Sequence, residues 1–313
     1  MTGERVAALT GASGFLGRRL TQALSAAGWR VRVLVRRQTD ADEMTRLGCA
    51  AVLGDLADVA ALRRLTEAAE VTINCAGLIK ARGRPAFMAV NRDGAAQLAA
   101  TAPGRVILVS SLAARMPDLS DYAASKRAGE DASTAIASGR LAIVRPPVIY
   151  GPGDRETLAL FQLAARSPVA PTLKDGRLAI AHVDDVAAAI VDLAGRPDLS
   201  DVYAVGGDRP DGYSWSEIMS AAWAAAGRTP RLVRVPRWAI HVAGGVSEAL
   251  GLVSRRPPIF TRGKAREMLH ADWTVRPDEL APDAPAARFS LQAGFADTFA
   301  WYRSAGWLEA PRN

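Results

Sequence analysis

Tyr122 and Lys126 stand four residues apart in the run Tyr122-Ala123-Ala124-Ser125-Lys126. On a helix that spacing puts both side chains on one face, so the phenol and the ammonium can meet. A neighbouring cation favours phenolate, and Lys126 is therefore expected to lower the Tyr122 pKa from its ordinary value of about 10. A tyrosine tuned in this way gives a proton to a carbonyl oxygen or takes one from an alcohol. Ser111 ends the run Val109-Ser110-Ser111 and is placed to hydrogen-bond the same oxygen. A second patch of chemistry is the segment Thr10-Gly11-Ala12-Ser13-Gly14-Phe15-Leu16-Gly17. Gly11 allows a tight turn, Gly14 lets backbone approach a pyrophosphate, and Gly17 lets a helix pack closely on a strand. The peptides of Ser13, Phe15 and Leu16 would lie at a positive helix N-terminus, which favours phosphate.

These residues need elements to hold them, and the flanking patterns supply them. Val6-Ala7-Ala8-Leu9 reads as a strand, and Leu16, Leu20, Ala23 and Leu24 as the apolar side of a helix. Further strands are expected at Val31 to Val35, Ala50 to Leu53, Val71 to Asn74, Arg105 to Ser110 and Leu141 to Val144. Alanine-rich stretches with helical spacing lie between them, such as Leu62 to Leu65 and Ala95 to Ala100. Strands alternating with helices at these lengths predict an α/β fold with a parallel, doubly wound sheet. Ligands of such sheets sit beyond the C-terminal strand ends, where the glycine segment and Ser111 both map.

The end of the second strand discriminates between cofactors. An acidic residue there would grip the ribose 2′-hydroxyl of NAD(H). Here Val35 is followed by Arg36 and Arg37, and a guanidinium suits a phosphate dianion. NADP(H) is therefore favoured, with Arg36 as the main contact and NAD(H) as the alternative. Asp55 and Leu56 follow the third strand, where the carboxylate can accept from the adenine amine. Ala76 and Gly77 follow the fourth and let backbone approach the adenosine ribose. Lys126 could also hold the nicotinamide ribose.

The chain of 313 residues has room for one or two domains, and its hydrophobic share of 49% and charged share of 23% are those of a globular protein. Cys49 and Cys75 have no ligand-like spacing, so neither a disulfide framework nor a metal site is expected. The first strand begins within six residues of Met1 and no stretch is long and apolar enough to span a bilayer, so a cytoplasmic location is expected. The net charge of +7 could serve an anionic cofactor, a membrane surface or nucleic acid. The nucleic-acid reading lacks a motif and a stacking pattern of aromatics.

Several stretches together resemble the extended short-chain dehydrogenases/reductases, the group of NAD(P)-dependent epimerases and dehydratases. They are TGASGFLG (10–17), GDL (54–56), NCAG (74–77), VNRDG (90–94), VSS (109–111), YAASK (122–126), RPPVIYGPGD (145–154) and HVDDVA (182–187). The resemblance implies a Rossmann-type sheet with a smaller, mostly helical C-terminal substrate region. It implies Ser111, Tyr122 and Lys126 as the catalytic trio, with Asn91 organising the site or its proton-relay water. Pro147 and Val148 match the segment beside the nicotinamide, and His182, Asp184 and Asp185 a structural patch. On this reading residues 1–150 bind the dinucleotide and 178–205 return to that domain. Residues 151–177 and 206–313 form the substrate region, with helices at Trp215 to Ala226, Trp238 to Leu252 and Ala293 to Arg303.

Within the family, many sugar-nucleotide enzymes place an asparagine where this chain has Val148, and dehydratases often place acids where Leu112, Ala113 and Ala114 follow Ser111. Apolar residues at both places predict an apolar substrate whose carbonyl is the polar group addressed. The expected activity is reduction of a keto group, or oxidation of the matching alcohol, on a lipid-like molecule such as a steroid or an oxidised ceramide (a 3-keto-sphingolipid). Hydroxysteroid-dehydrogenase-like and bacterial ceramide-reducing members are the nearest in texture. The alternatives are sugar-nucleotide epimerisation or dehydration, and a non-catalytic nucleotide-binding subunit like the accessory subunit of respiratory complex I. Retention of Ser111, Tyr122 and Lys126 argues against the last. Apolar residues beside arginines at 233–240 and 249–256 predict peripheral contact with an anionic membrane, at the inner face of the cytoplasmic membrane. No dimer seam is legible.

Overall fold

The computed structural model describes residues 5–198, 200–254 and 260–308. The apolar runs form the strands, and the alternation with helices follows directly. β1 (Val6–Thr10) enters α1 (Phe15–Ala26) through the glycine turn, followed by β2 (Arg30–Val35), α2 (Gln38–Arg46), β3 (Ala50–Leu53), α3 (Val59–Thr66) and β4 (Val71–Asn74). α4 (Arg84–Met88), a π-helical turn (Ala89–Gly94) and α5 (Ala95–Thr101) lead to β5 (Arg105–Val109). Two 3-10 turns (Leu112–Arg115 and Pro117–Leu119) lead to α6 (Asp121–Ala137) and β6 (Leu141–Arg145). The strand order is β3-β2-β1-β4-β5-β6, all parallel, and reverses direction between β1 and β4. The crevice at that reversal lies between the glycine turn after β1 and Cys75-Ala76-Gly77 after β4, the binding place for a sheet of this kind.

The chain then leaves the sheet and comes back. β7 (Val148–Tyr150), α7 (Leu158–Arg166), β8 (Val169–Thr172) and β9 (Arg177–Leu178) precede β10 (Ile180–His182) and α8 (Val183–Ala194). α8 packs against α1, and β11 (Val202–Ala204) adds a seventh parallel strand beside β6. The last part comprises β12 (Tyr213–Ser214), α9 (Trp215–Ala225), β13 (Arg231–Arg234), α10 (Arg237–Ser254), α11 (Arg262–Leu269), β14 (Asp272–Trp273) and α12 (Leu291–Ser304). This region is helical but also carries short strand pairs, β12-β9-β14 and β13-β8, which no apolar run announces. Their strands are two to four residues long, too short for an alternating pattern.

Two cores result. One lies between the sheet, α1 and α8, built from residues such as Leu9, Leu20, Val33, Ile107 and Ile190. The other is aromatic and holds Tyr150, Phe161, Trp223, Phe295 and Tyr302. The HVDDVA run joins them. His182 caps α8, accepting from the Asp184 N–H at 3.3 Å, and stacks on Phe289 at 3.8 Å. Asp185 accepts the backbone N–H groups of Arg288 (3.0 Å) and Phe289 (3.2 Å). Burial pulls the His182 imidazole below its ordinary value, so it is neutral at pH 7.

Candidate active site

Ser120 caps α6, its hydroxyl accepting from the Ala123 N–H at 3.0 Å, and so fixes where the helix begins. Tyr122 and Lys126 follow in the first two turns, on the face toward the end of β5. Lys126 is buried and its Nζ donates to the Val109 carbonyl at 2.7 Å. Ser111 follows that strand, caps the 3-10 turn with its hydroxyl, and is the hydrogen-bonding neighbour of the Tyr122 phenol. Asn91 is held in the π-helical turn and is buried. Its side chain donates to the Leu78 carbonyl and to the Ser125 hydroxyl, both at 2.9 Å, and accepts from the Leu78 N–H at 2.8 Å. It thereby ties the loop after β4 to the catalytic helix one residue from Lys126.

The electrostatics differ from the expectation drawn from spacing. Burial pushes the Tyr122 phenol up to about 12, with the Glu267 carboxylate pushing the same way and Ser111 pulling down. Burial also lowers Lys126 to about 8, against upward pulls from Cys75 and Glu130. The net shift of the phenol is therefore upward, opposite to the one expected from the spacing: Nζ is bonded to Val109, and desolvation outweighs any attraction between the pair. Tyr122 packs beside Leu112, Trp273 and Val275 and meets Phe87 edge-on at 6.2 Å, and this apolar surround is the cause. The result is a phenol that is protonated at neutral pH.

The glycine turn fits a dinucleotide phosphate. Gly11 has φ +73°, and a Cβ there would meet the Ala76 nitrogen at 2.7 Å. A Cβ on Gly17 would sit 2.0 Å from the Gly11 carbonyl oxygen. Gly14 is different: a Cβ would meet a single protein atom, at 3.2 Å, so the open side of Gly14 is where a ligand would approach. Ser13, Gly14, Phe15 and Leu16 bracket the start of α1, whose N-cap has no side-chain partner. Thr10 donates to the side-chain oxygen Oδ1 of Asn74 at 2.7 Å and accepts from the Ala76 N–H at 3.2 Å, holding the two loops at one spacing. Asn74 Nδ2 and Ser110 Oγ are buried without a hydrogen-bond partner at the ends of adjacent strands.

The two arginines after β2 part company. Arg37 is engaged: its guanidinium makes two hydrogen bonds to Asp40, at 2.6 and 2.9 Å. It was expected to face a phosphate beside Arg36, but Asp40 sits one turn into α2 and claims it. Arg36 is exposed and makes no hydrogen bond or ion pair among the described residues. Asp55 uses Oδ1 to receive the N–H groups of Ala57 and Asp58, at 2.9 and 3.2 Å. Leu56 packs over Gly94. Gly77 is open, its nearest neighbours being Asn91 Oδ1 and Lys126 Nζ. Pro147 is buried, whereas Val148 is 41% exposed at the mouth of β7. Leu112, Ala113 and Ala114, expected to line the substrate side, are instead core residues, because the 3-10 turn folds them inward.

Sequence reasoning did not find three further groups. Arg18 donates to the Ser13 carbonyl at 3.0 Å and pairs with Glu43. Glu267 on α11, buried, accepts from the Ser120 hydroxyl that caps the catalytic helix. Arg115 and Glu279 join the turn after Ser111 to the C-terminal region at 3.2 Å. Each partner lies 25 to 164 residues away, and no local spacing announces it.

Residues 7–206 match the NAD dependent epimerase/dehydratase family. Ceramide reductase of Caulobacter vibrioides (strain NA1000 / CB15N) is 51% identical over 317 residues, covering 98% of this chain and 97% of that protein. The 4-hydroxy-2-methyl-3-oxo-4-farnesyl-3,4-dihydroquinoline-1-oxide ketoreductase of Stigmatella aurantiaca is 29% identical, over 62% of this chain and 66% of that protein. The crystal structure of gox2253 superposes with a TM-score of 0.78 at 22% identity, covering 98% of this chain and 100% of that one, which shows a shared fold. The chain therefore belongs to the NAD dependent epimerase/dehydratase family and is an NAD(P)-dependent oxidoreductase of the extended short-chain type.

Proposed function

We propose that this protein uses NADPH to reduce a keto group on an apolar, lipid-like substrate, with an oxidised ceramide as the first candidate. The observation that carries this reading is the near-full-length similarity to a ceramide reductase in a chain that keeps Ser111, Tyr122 and Lys126 together. The farnesyl-quinoline ketoreductase adds a second relative whose named substrate is a ketone with an apolar tail. Val148, exposed and apolar, agrees with a substrate richer in hydrocarbon than a nucleotide sugar.

A bound nicotinamide would supply the hydride. The chain supplies the rest. Ser111 hydrogen-bonds the carbonyl oxygen and holds it against Tyr122. The phenol, still protonated at neutral pH, delivers its proton to that oxygen as negative charge develops there. Lys126 places a positive charge behind Tyr122 to stabilise the phenolate left behind, and Asn91 keeps its helix in register with the loop after β4. Arg36, with no hydrogen bond or ion pair among the described residues, is the residue for the 2′-phosphate.

Two measurements test this. Oxidation of NADPH is followed with keto-lipids, keto-steroids and nucleotide sugars, with Tyr122→Phe as the control. Turnover of keto-lipids is expected, falling roughly 10²- to 10⁴-fold in the variant. Turnover of nucleotide sugars alone would overturn the substrate reading. For the cofactor, Arg36→Ala is expected to lower the NADPH-over-NADH ratio of kcat/KM by about tenfold or more, the worth of a charge-assisted bond. A wild-type preference for NADH would overturn that assignment.

A further inference from the structure

The charge of this chain is unevenly placed. Residues 228–269 contain nine Arg and Lys against two carboxylates, Glu248 and Glu267. That surplus equals the net charge of the whole protein, +7, so the remaining residues balance. The same segment contains α10, whose side chains run against the usual rule for a surface helix. Trp238, Val242, Val246 and Leu250 recur every fourth residue and are 68, 55, 54 and 64% exposed. Ala243 and Ala249 lie among them and are exposed too, and no charged side chain stands on that face. The stripe is about 18 Å long at 1.5 Å per residue.

The opposite side of α10 is the one the protein uses. Gly244 meets the backbone of Thr261 and Arg262, and Ser247 and Glu248 accept the N–H groups of Phe260 (3.3 Å) and Arg262 (2.9 Å). α10 and α11 thus form a hairpin with its polar contacts inside and its apolar stripe outside. Cations rim the stripe. Arg231, Arg234 and Arg237 are exposed at one end, and Arg262 and Arg266 flank a groove of about 560 Å³ between the helices. α11 in turn touches the catalytic helix, with Arg266 donating to the Leu119 carbonyl at 2.7 Å and Glu267 receiving the Ser120 hydroxyl.

We propose that the α10–α11 hairpin is a peripheral docking element for an anionic lipid bilayer. The α10 stripe lies in the interface and the arginines contact headgroup phosphates. The charge argument selects this occupant. An isologous pairing of two copies would set this basic surface against itself, with Glu248 already engaged by Arg262 at 3.5 Å. An anionic surface answers both the stripe and its rim. No helix among the described residues is long and apolar enough to cross a membrane, so the contact is with one leaflet. It would place the start of the catalytic helix next to the bilayer. The inference stands apart from the substrate reading, because it concerns bulk lipid.

The test is cosedimentation of the full chain with vesicles of phosphatidylglycerol and phosphatidylethanolamine, and with phosphatidylcholine alone, across a salt series. None of these lipids carries a keto group, so failure of the substrate reading leaves the result intact. Binding is expected to the anionic vesicles, weakening as salt rises. Trp238→Glu/Val246→Glu is expected to cut binding by about tenfold or more while keeping the wild-type melting temperature and NADPH affinity. Arg231→Glu/Arg234→Glu gives a second route to the same loss. Equal pelleting with neutral vesicles, or binding that neither pair of changes alters, would overturn the proposal. So would light scattering that shows a dimer dissociated by Trp238→Glu/Val246→Glu.

Discussion

A proton donor must hold its proton until it is needed, and in the mechanism proposed above the apolar surround of Tyr122 serves that end. Its phenol sits near 12, whereas Lys126 behind it sits near 8, both displaced by burial. The neighbour, then, is the group that titrates in the working range. Below about pH 8 Lys126 is charged and can stabilise a tyrosinate; above it, the charge is lost while Tyr122 remains protonated. For carbonyl reduction, kcat/KM should be level through neutral pH and fall as pH rises through 8, approaching tenfold per unit. Lys126→Arg keeps its charge throughout, so any activity it retains should lack that alkaline fall. A fall that persists in the arginine variant would assign the titration elsewhere. The residues of this site were legible from spacing alone: Tyr122 with Lys126, Ser111 at a strand end, and the three glycines. Their energetics were not, because the groups that desolvate the phenol, Phe87, Trp273 and Val275, come from remote parts of the chain. Arg37 is an intermediate case. Asp40 three residues on is visible in sequence, and only the choice between an internal partner and a ligand needed coordinates.

At the level of elements, the β1–α1 unit separates two reasons for a glycine. Gly17 is required by the protein, since a Cβ would lie 2.0 Å from the Gly11 carbonyl oxygen and force α1 off β1. Gly14 is much less confined, a Cβ there meeting one protein atom, the Gly11 carbonyl oxygen, at 3.2 Å. Gly17→Ala should therefore lower the melting temperature of the cofactor-free protein, at a cost of about 1–3 kcal/mol or more. Gly14→Ala should lower that temperature less than Gly17→Ala and weaken NADPH binding more, measured by titration. The reverse pattern would mean that Gly14 serves packing and that the pyrophosphate lies elsewhere. The central strands were readable because β1, β4, β5 and β6 are largely apolar runs, buried on both faces as parallel strands are, and because β2 carries valines at alternate positions. The short strands β8, β9, β12 and β14 were not, since they arise from where neighbouring segments happen to lie. The π-helical turn that carries Asn91 is equally silent in sequence; the close approach of Gly129 to the Asn91 carbonyl oxygen shows why α6 needs a glycine there.

Across the whole molecule, the sheet and the C-terminal aromatic core must keep one relative position if α11 and β14 are to cover Tyr122. Polar links that span them include Arg115 with Glu279, Ser120 with Glu267, and Asp185 with the 288–289 backbone. Asp185 is the most exposed to test, because it stands beside a control. Asp184, its neighbour, is half-buried and faces Arg19 at 3.5 Å, a contact worth less than about 1 kcal/mol. Asp185 is buried and accepts the backbone N–H groups of Arg288 and Phe289, one on each carboxylate oxygen. Asp185→Ala leaves both without a partner, at a cost of about 2–4 kcal/mol. The melting temperature should fall by roughly 5–10 °C. Asp184→Ala should change it by roughly 2 °C or less. Limited proteolysis of Asp185→Ala should also open the chain near residues 284–290, ahead of α12, at a temperature where wild type is uncut. If the two alanine variants melt together, the join between the cores rests on the stacking of His182 against Phe289 and not on Asp185.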